Sequence, residues 1–272
     1  MNDRIVVLDG YTTNPGDLDW SPLGALGELE VFDRTPAARV AERVGAAPYV
    51  LLNKTLLTGE TLRALPGLRY VGVLATGYNT VDLASAKVIG VTVTNTPAYA
   101  SVSVAQHAAA MMLDLARGLT RHANAVRGGA WSRSPDWCLP LTSIFELTDR
   151  TLGLVGLGAI GIELARIAAA LGMRVIACDP AFPPPARLGG VAVTPVSLET
   201  LIETADVVSL HCPLSPATHH LIDAPRLARM KRSALILNTS RGPLIDEAAL
   251  AAALHGGVIA GAALDVLEVE PP

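Results

Sequence analysis

The sequence predicts an α/β protein of two parallel-sheet domains with a cleft between them. Three observations carry that expectation. Short β-branched runs alternate with longer segments of helical periodicity, the pattern of βαβ units. A chain of 272 residues accommodates two domains at ~150 residues each. A strand pattern at 151–155 runs directly into a glycine-rich turn and an apolar helix, which makes the architecture Rossmann-like.

In the first third, the strand candidates are Arg4–Leu8, Tyr49–Leu52, Arg69–Val73 and Val91–Thr94, each followed by turn residues or a helix-like segment. Leu56–Leu65 reads as a connecting helix with Thr58 as its N-cap. From Ser101 to Val126 one continuous helix is expected, because Val104, His107, Ala108, Met111, Met112 and Leu115 recur at three- and four-residue spacing. His107 is expected as a packed or hinge residue. The segment 127–147 is rich in Gly, Pro, Ser and Trp and reads as a long functional arm. A second strand series follows at Thr151–Val155, Arg174–Cys178, Val207–Leu210, Ala234–Leu237 and Ile259–Asp265. Helices are expected at Ile160–Leu171 and Asp246–His255. The expected boundary near Pro97–Ser101 gives a domain of residues 1–98 and another of 99–272.

Hydrophobic residues are 50% and charged residues 17% of the chain, with aromatics at 4%. The protein is therefore globular, with cores built from Ala, Val, Leu and Ile. A formal net charge of −4 without a basic run argues against a nucleic-acid partner. Cys138, Cys178 and Cys212 are far apart in sequence, so neither a disulfide framework nor a metal site is expected. The apolar run Ile5–Leu8 is too short for a signal peptide or a membrane span. A cytoplasmic protein with no membrane partner is expected.

The strongest local signal is the string TLGLVGLGAIG over 151–161. Gly156 permits the tight turn, Gly158 lets backbone N–H groups approach a pyrophosphate, and Gly161 allows the helix to pack on the strand. The phosphates would lie at the helix N-terminus formed by Gly158, Ala159 and Ile160. The next strand ends at Asp179, 18 positions past Gly161, close to the ~20 expected of a ribose-binding acid. A carboxylate there accepts from a 2′-hydroxyl and repels a 2′-phosphate, so NAD is favoured over NADP.

Four further stretches make the pattern specific: ATGYNTVD at 75–82, HCPLSP at 211–216, NTSRGPLID at 238–246 and LDVLEVEPP at 264–272. With the glycine motif, they resemble the D-isomer-specific 2-hydroxyacid dehydrogenase family over essentially the whole chain. The branch resembled is glycerate dehydrogenase (hydroxypyruvate reductase), on Val7–Gly10, Asn14–Leu18, Asn53–Thr55 and Gly129–Ser132. The resemblance implies an oxidoreductase moving a hydride between nicotinamide and a small 2-keto or 2-D-hydroxy acid, such as hydroxypyruvate or glyoxylate to glycerate or glycolate. The alternatives are a lactate- or phosphoglycerate-type dehydrogenase and a non-catalytic, dinucleotide-sensing corepressor-like protein.

By residue, the resemblance implies that Arg241 binds the substrate carboxylate, since guanidinium offers it two parallel hydrogen bonds. Thr76 and Gly77 present backbone N–H groups to the same carboxylate, and Lys54 ends a strand as a further substrate-side candidate. Asp265 corresponds to the residue near the nicotinamide carboxamide, and Glu270 to the catalytic glutamate that raises the pKa of a histidine. His211, Cys212, Pro213 and Thr239 border the cofactor. The resemblance also implies a homodimer built on the helix and arm of about 101–147, whose Trp131 and Trp137 are interface-type residues.

Two departures stand out. The family's catalytic histidine follows the glutamate, and none of His107, His122, His211, His219, His220 and His255 matches that position. The helix that completes the first domain has no counterpart either. Relative to the family, the 272 residues are expected to be C-terminally truncated, with an incomplete first domain and weak or absent turnover. A smaller departure is Lys87–Gly90, where the family usually places charged residues.

Overall fold

Alternating β-branched segments and helices build two separate parallel sheets. The computed structural model describes residues 3–181, 186–188, 190–270 and 272, and the chain divides into two compact units, one up to Tyr99 and one from Ala100. In the first unit the strands are β1 (Arg4–Val7), β2 (Glu28–Val31), β3 (Tyr49–Leu52), β4 (Tyr70–Val73) and β5 (Thr92–Asn95). They are all parallel, in the order β2-β1-β3-β4-β5. In the second unit they are β6 (Thr151–Val155), β7 (Arg174–Cys178), β8 (Ala186–Leu188), β9 (Val191–Pro195), β10 (Val207–Leu210), β11 (Leu235–Asn238) and β12 (Gly261–Leu264). Their order is β12-β11-β10-β6-β7-β9-β8, parallel except for the β8–β9 pair. Both sheets are the doubly wound type that the sequence predicts.

Burial explains the strand sequences. Every residue of β6, β10 and β11 is buried, as expected of central parallel strands covered on both faces. One face of the second sheet packs under the helices Ser101–Arg117 and Ala159–Ala170, with Met112, Leu152, Leu154 and Leu164 fully buried. The other face packs under Leu198–Thr204, Ala224–Arg229 and Glu247–His255, around Leu201, Ile202 and Leu210. Each such side chain contributes about 1.5–3 kcal/mol by leaving water.

The expected single helix over 101–126 is broken. It runs Ser101–Arg117, stops at Gly118 with φ +61, and restarts as Leu119–Arg127. Glycine adopts this left-handed C-cap without a Cβ penalty, and a Cβ at Gly118 would stand 2.8 Å from the Thr142 side chain. The hydrophobic period continues across the break and hides it. The buried stripe is Ala105, Ala108, Ala109, Met112 and Ala116, so His107 is exposed rather than packed. The arm from 128 carries one 3-10 turn, Trp131–Arg133. The connecting helix of the first unit is shorter than expected, Gly59–Arg63, but Thr58 does cap it by accepting from the Thr61 N–H. Strands β2, β8 and β9 have no counterpart in the expected set.

Candidate active site

Parallel sheets bind ligands outside the carboxyl ends of their strands, where the strand order reverses. In the second unit the reversal is at β6, with β7 on one side and β10 on the other. The turn after β6 is the glycine motif. Gly156 has φ +93, and a Cβ there would lie 2.7 Å from the backbone of His211 and Cys212. A Cβ at Gly161 would lie 2.8 Å from the Gly156 carbonyl oxygen. These two glycines are required by packing. Gly158 differs: a Cβ there would meet nothing within 4 Å, so its missing side chain leaves open space. The helix that follows, Ala159–Ala170, begins at Gly158 without a side-chain cap. Side chains do cap the helices starting after Thr58, Asp82, Ser197, Asp223 and Asp246. An uncapped helix N-terminus beside open space fits an anion such as a pyrophosphate.

The remaining candidates of this unit follow neighbouring strands. Asp179, just past β7, accepts the Leu157 N–H through Oδ2 at 2.7 Å and the Ala181 N–H through Oδ1 at 2.8 Å. It therefore braces the glycine turn. After β10, burial pushes the His211 imidazole down to about 4, so the ring is neutral near pH 7. His211 Nε2 shares a hydrogen bond with Ser209 Oγ at 2.8 Å, and its Nδ1 is buried without a partner. Burial pushes the Cys212 thiol up to about 11, which removes it as a thiolate nucleophile. Pro213 is exposed. After β11, Thr239 Oγ1 is buried without a partner. Open space at Gly158, the uncapped helix and the unsatisfied Thr239 and His211 atoms together fit a dinucleotide.

Arg241 stands two residues further on, in a turn that sequence reasoning did not resolve. Asn238, almost wholly buried, donates from Nδ2 to the Arg241 carbonyl at 2.8 Å and accepts the Ser240 N–H at 3.0 Å. Ser240 Oγ donates to the Leu210 carbonyl, and Arg241 NH1 to the Ser240 carbonyl at 2.6 Å. The half-buried guanidinium is thus anchored at the carboxyl end of β11. Asp265, exposed after β12, pairs with His107 at 3.4 Å. Glu270 is exposed, and its Oε1 accepts the Leu267 N–H at 2.9 Å. Among the described residues no histidine pairs with it. His107 faces Asp265, His220 faces Glu268, and His122 and His255 bond backbone carbonyls of their own helices. Pro271 lies outside the described residues.

In the first unit, Lys54 is exposed just past β3, and Thr76 and Gly77 follow β4. These strands are adjacent and parallel, so both turns leave the same end of one sheet. Thr76 Oγ1 donates to the Thr96 carbonyl, and the Thr76 carbonyl accepts from Asn95 Nδ2. The turn after β3 is organised by a residue with no expected role. Asp9 is buried at 4% exposure, and its carboxylate accepts the N–H groups of Asn53, Lys54 and Thr55 at 2.8, 2.5 and 2.7 Å. Asp9 acts across more than forty positions of sequence, which no local motif signals.

Comparison with known proteins matches residues 109–272 to the family profile "D-isomer specific 2-hydroxyacid dehydrogenase, NAD binding domain". A hydroxypyruvate reductase of Blautia hydrogenotrophica is 45% identical over 271 residues, covering 98% of this chain and 84% of that protein. A glycerate dehydrogenase of Methylorubrum extorquens is 42% identical over 233 residues, covering 86% and 71%. Among solved structures, a D-lactate dehydrogenase from Aquifex aeolicus complexed with NAD and lactic acid superposes with a TM-score of 0.83 at 30% identity. It covers 97% of this chain and 77% of that one.

Proposed function

The chain belongs to the D-isomer-specific 2-hydroxyacid dehydrogenase family, and on that premise we propose that it reduces hydroxypyruvate and glyoxylate to glycerate and glycolate with NADH. The observation that carries the substrate choice is the 45% identity to a hydroxypyruvate reductase over nearly the whole chain. Fold alone does not select a substrate.

Gly158, Ala159 and Ile160 would take the pyrophosphate, with Gly156 and Gly161 shaping the turn. Asp179 would accept from the adenosine ribose, His211, Cys212, Pro213 and Thr239 would line the dinucleotide, and Asp265 would hold the nicotinamide end. The bound cofactor supplies the hydride that reaches the keto carbon. Arg241 orients the substrate through its carboxylate, with a charged, bidentate contact that lysine does not reproduce. Lys54, Thr76 and Gly77 are the substrate-side residues of the first unit. Glu270 is the carboxylate of the acid–base pair.

Among the described residues Glu270 pairs with no histidine, and its Oε1 accepts the Leu267 N–H instead. The same observation favours a second reading, a dinucleotide-responsive binding protein without turnover. We further propose a homodimer formed through the helices from 101 to 127 and the arm. Leu119, Val126, Trp131 and Trp137 are exposed there, and sedimentation at micromolar concentration tests it. A cytoplasmic setting agrees with three free cysteines. Among the described residues no helix is long and apolar enough to cross a membrane.

The deciding experiment follows NADH oxidation with hydroxypyruvate, glyoxylate and pyruvate, for the wild type and Arg241→Lys. The expected order puts hydroxypyruvate and glyoxylate above pyruvate. Arg241→Lys should lower kcat/KM by roughly 10²-fold, about two charge-assisted hydrogen bonds' worth of orientation. A pyruvate preference moves the protein to the lactate type. NADH binding with no turnover of any keto acid selects the binding-protein reading.

A further inference from the structure

We propose that His219, His220 and Glu268 form a surface site for a divalent transition metal of the zinc type. One ligand atom from each of the three lies within 4.8 Å of the others. Ligands held at 2.0–2.2 Å in a tetrahedral shell stand about 3.3–3.6 Å apart, so shifts of roughly 1 Å complete the set.

The backbone brings these groups together in an unusual way. Consecutive side chains on an extended chain point to opposite sides. Here His220 has φ +48, a left-handed conformation uncommon outside glycine, asparagine, aspartate and histidine. The two imidazoles lie side by side, ring centroids 4.0 Å apart.

Each ligand residue is also anchored through its backbone. The His219 N–H bonds the Ser215 carbonyl at 2.9 Å, and the His220 N–H bonds the Pro243 carbonyl at 2.8 Å. The Glu268 N–H bonds Glu247 Oε1. The 267–268 segment lies directly on Gly242, where a Cβ would be 1.9 Å from the Leu267 carbonyl carbon and 2.3 Å from the Glu268 nitrogen. His220 and Glu268 are thus held on one base, the 242–247 segment, and His219 on the loop that precedes it. His220 Nε2 already stands 3.0 Å from Glu268 Oε1. An ion bound to both atoms would take the place of the hydrogen atom between them.

Two imidazoles and one carboxylate suit zinc, copper(II) or nickel, and do not suit magnesium or calcium, which take all-oxygen shells. His219 and Glu268 are exposed and His220 is half-buried, which leaves a coordination position for water. The ion would tie the 215–222 loop to the segment that carries Asp265 and Glu270. Sequence spacing does not show this set, because 48 positions separate His220 from Glu268.

The test is calorimetric titration of zinc chloride into the untagged 272-residue chain, repeated with magnesium chloride. One zinc per chain and no magnesium binding are expected, with a zinc-dependent rise in Tm. His219→Gln, His220→Asn and Glu268→Gln should each weaken zinc binding more than about tenfold, the loss that even an outer-shell partner typically causes. Asparagine tolerates the left-handed backbone of His220, so that variant removes the ligand without forcing the turn. His219→Gln changes an exposed side chain and decides the matter if His220→Asn fails to fold. His255→Gln, on another helix, should bind as the wild type does. Absence of a 1:1 zinc isotherm, or one unchanged in His219→Gln, overturns the proposal.

Discussion

The turns after β3 and β6 leave equivalent ends of two parallel sheets, and they spend their backbone donors differently. After β3, the N–H groups of residues 53, 54 and 55 all go to the buried Asp9 carboxylate. After β6, one N–H of the turn, that of Leu157, goes to a side-chain carboxylate, Asp179. The helix start at Gly158 has no side-chain cap and faces open space. One turn carries its own anion, and the other is shaped to receive one. The contrast supports the proposal that the β6 turn takes the dinucleotide, while Asp9 fixes the backbone of the turn that carries Lys54.

The largest effect expected from breaking this contrast is at Asp9. Asp9→Ala leaves three backbone donors without their acceptor in a largely buried site. It should cost roughly 3–5 kcal/mol by urea denaturation, with Asp9→Asn recovering part of the loss. A cost below about 1 kcal/mol would mean that water replaces the carboxylate and the turn is not internally satisfied.

The next effect concerns acid. The folded-state pKa of His211 lies near 4, below its ordinary 6.5, because of burial. The unfolded chain therefore binds more protons between these values. The neutral histidine's contribution is fully present above about pH 6.5 and is lost as pH falls toward 4, up to about 3 kcal/mol. Denaturation curves from pH 7 to 4 should show this slope, and His211→Asn should flatten it. Asp206 adds to the acid sensitivity at lower pH. Burial alone would raise its pKa, but the Thr151 N–H, Lys231 and Arg150 together hold it below the ordinary carboxylate value. Its contribution is present above pH 3.8 and fades as pH falls through the depressed value.

A smaller effect is expected at Asp179. Asp179→Ala removes both the ribose acceptor and the Leu157 brace. It should narrow the preference for NADH over NADPH by roughly tenfold, about 1.4 kcal/mol, as read by fluorescence titration of both. An unchanged ratio would confine Asp179 to bracing the turn.

Much of this was legible in the residues. β3, β6, β7 and β10 coincide with the runs read from the sequence because central parallel strands are mostly apolar. β2 escaped because its Glu28 and Glu30 read as loop, a polar pattern that an edge strand tolerates. The break at Gly118 escaped because helical periodicity continues beyond it. The glycine motif, Asp179 and Arg241 were visible as local strings. Asp9 and the His219–His220–Glu268 cluster were not, since their partners are brought together by the fold and no spacing rule reaches them.

The central claim is that the turn after β6 is open in order to bind the dinucleotide, and Gly158→Val tests it most directly. NADH titration and thermal unfolding are measured on the same samples. The side chain would enter space that the protein leaves empty, at a φ of −76° that any residue accepts. The account predicts a Kd for NADH raised more than about tenfold, with Tm little changed. An unchanged Kd for NADH in a folded Gly158→Val protein would contradict it.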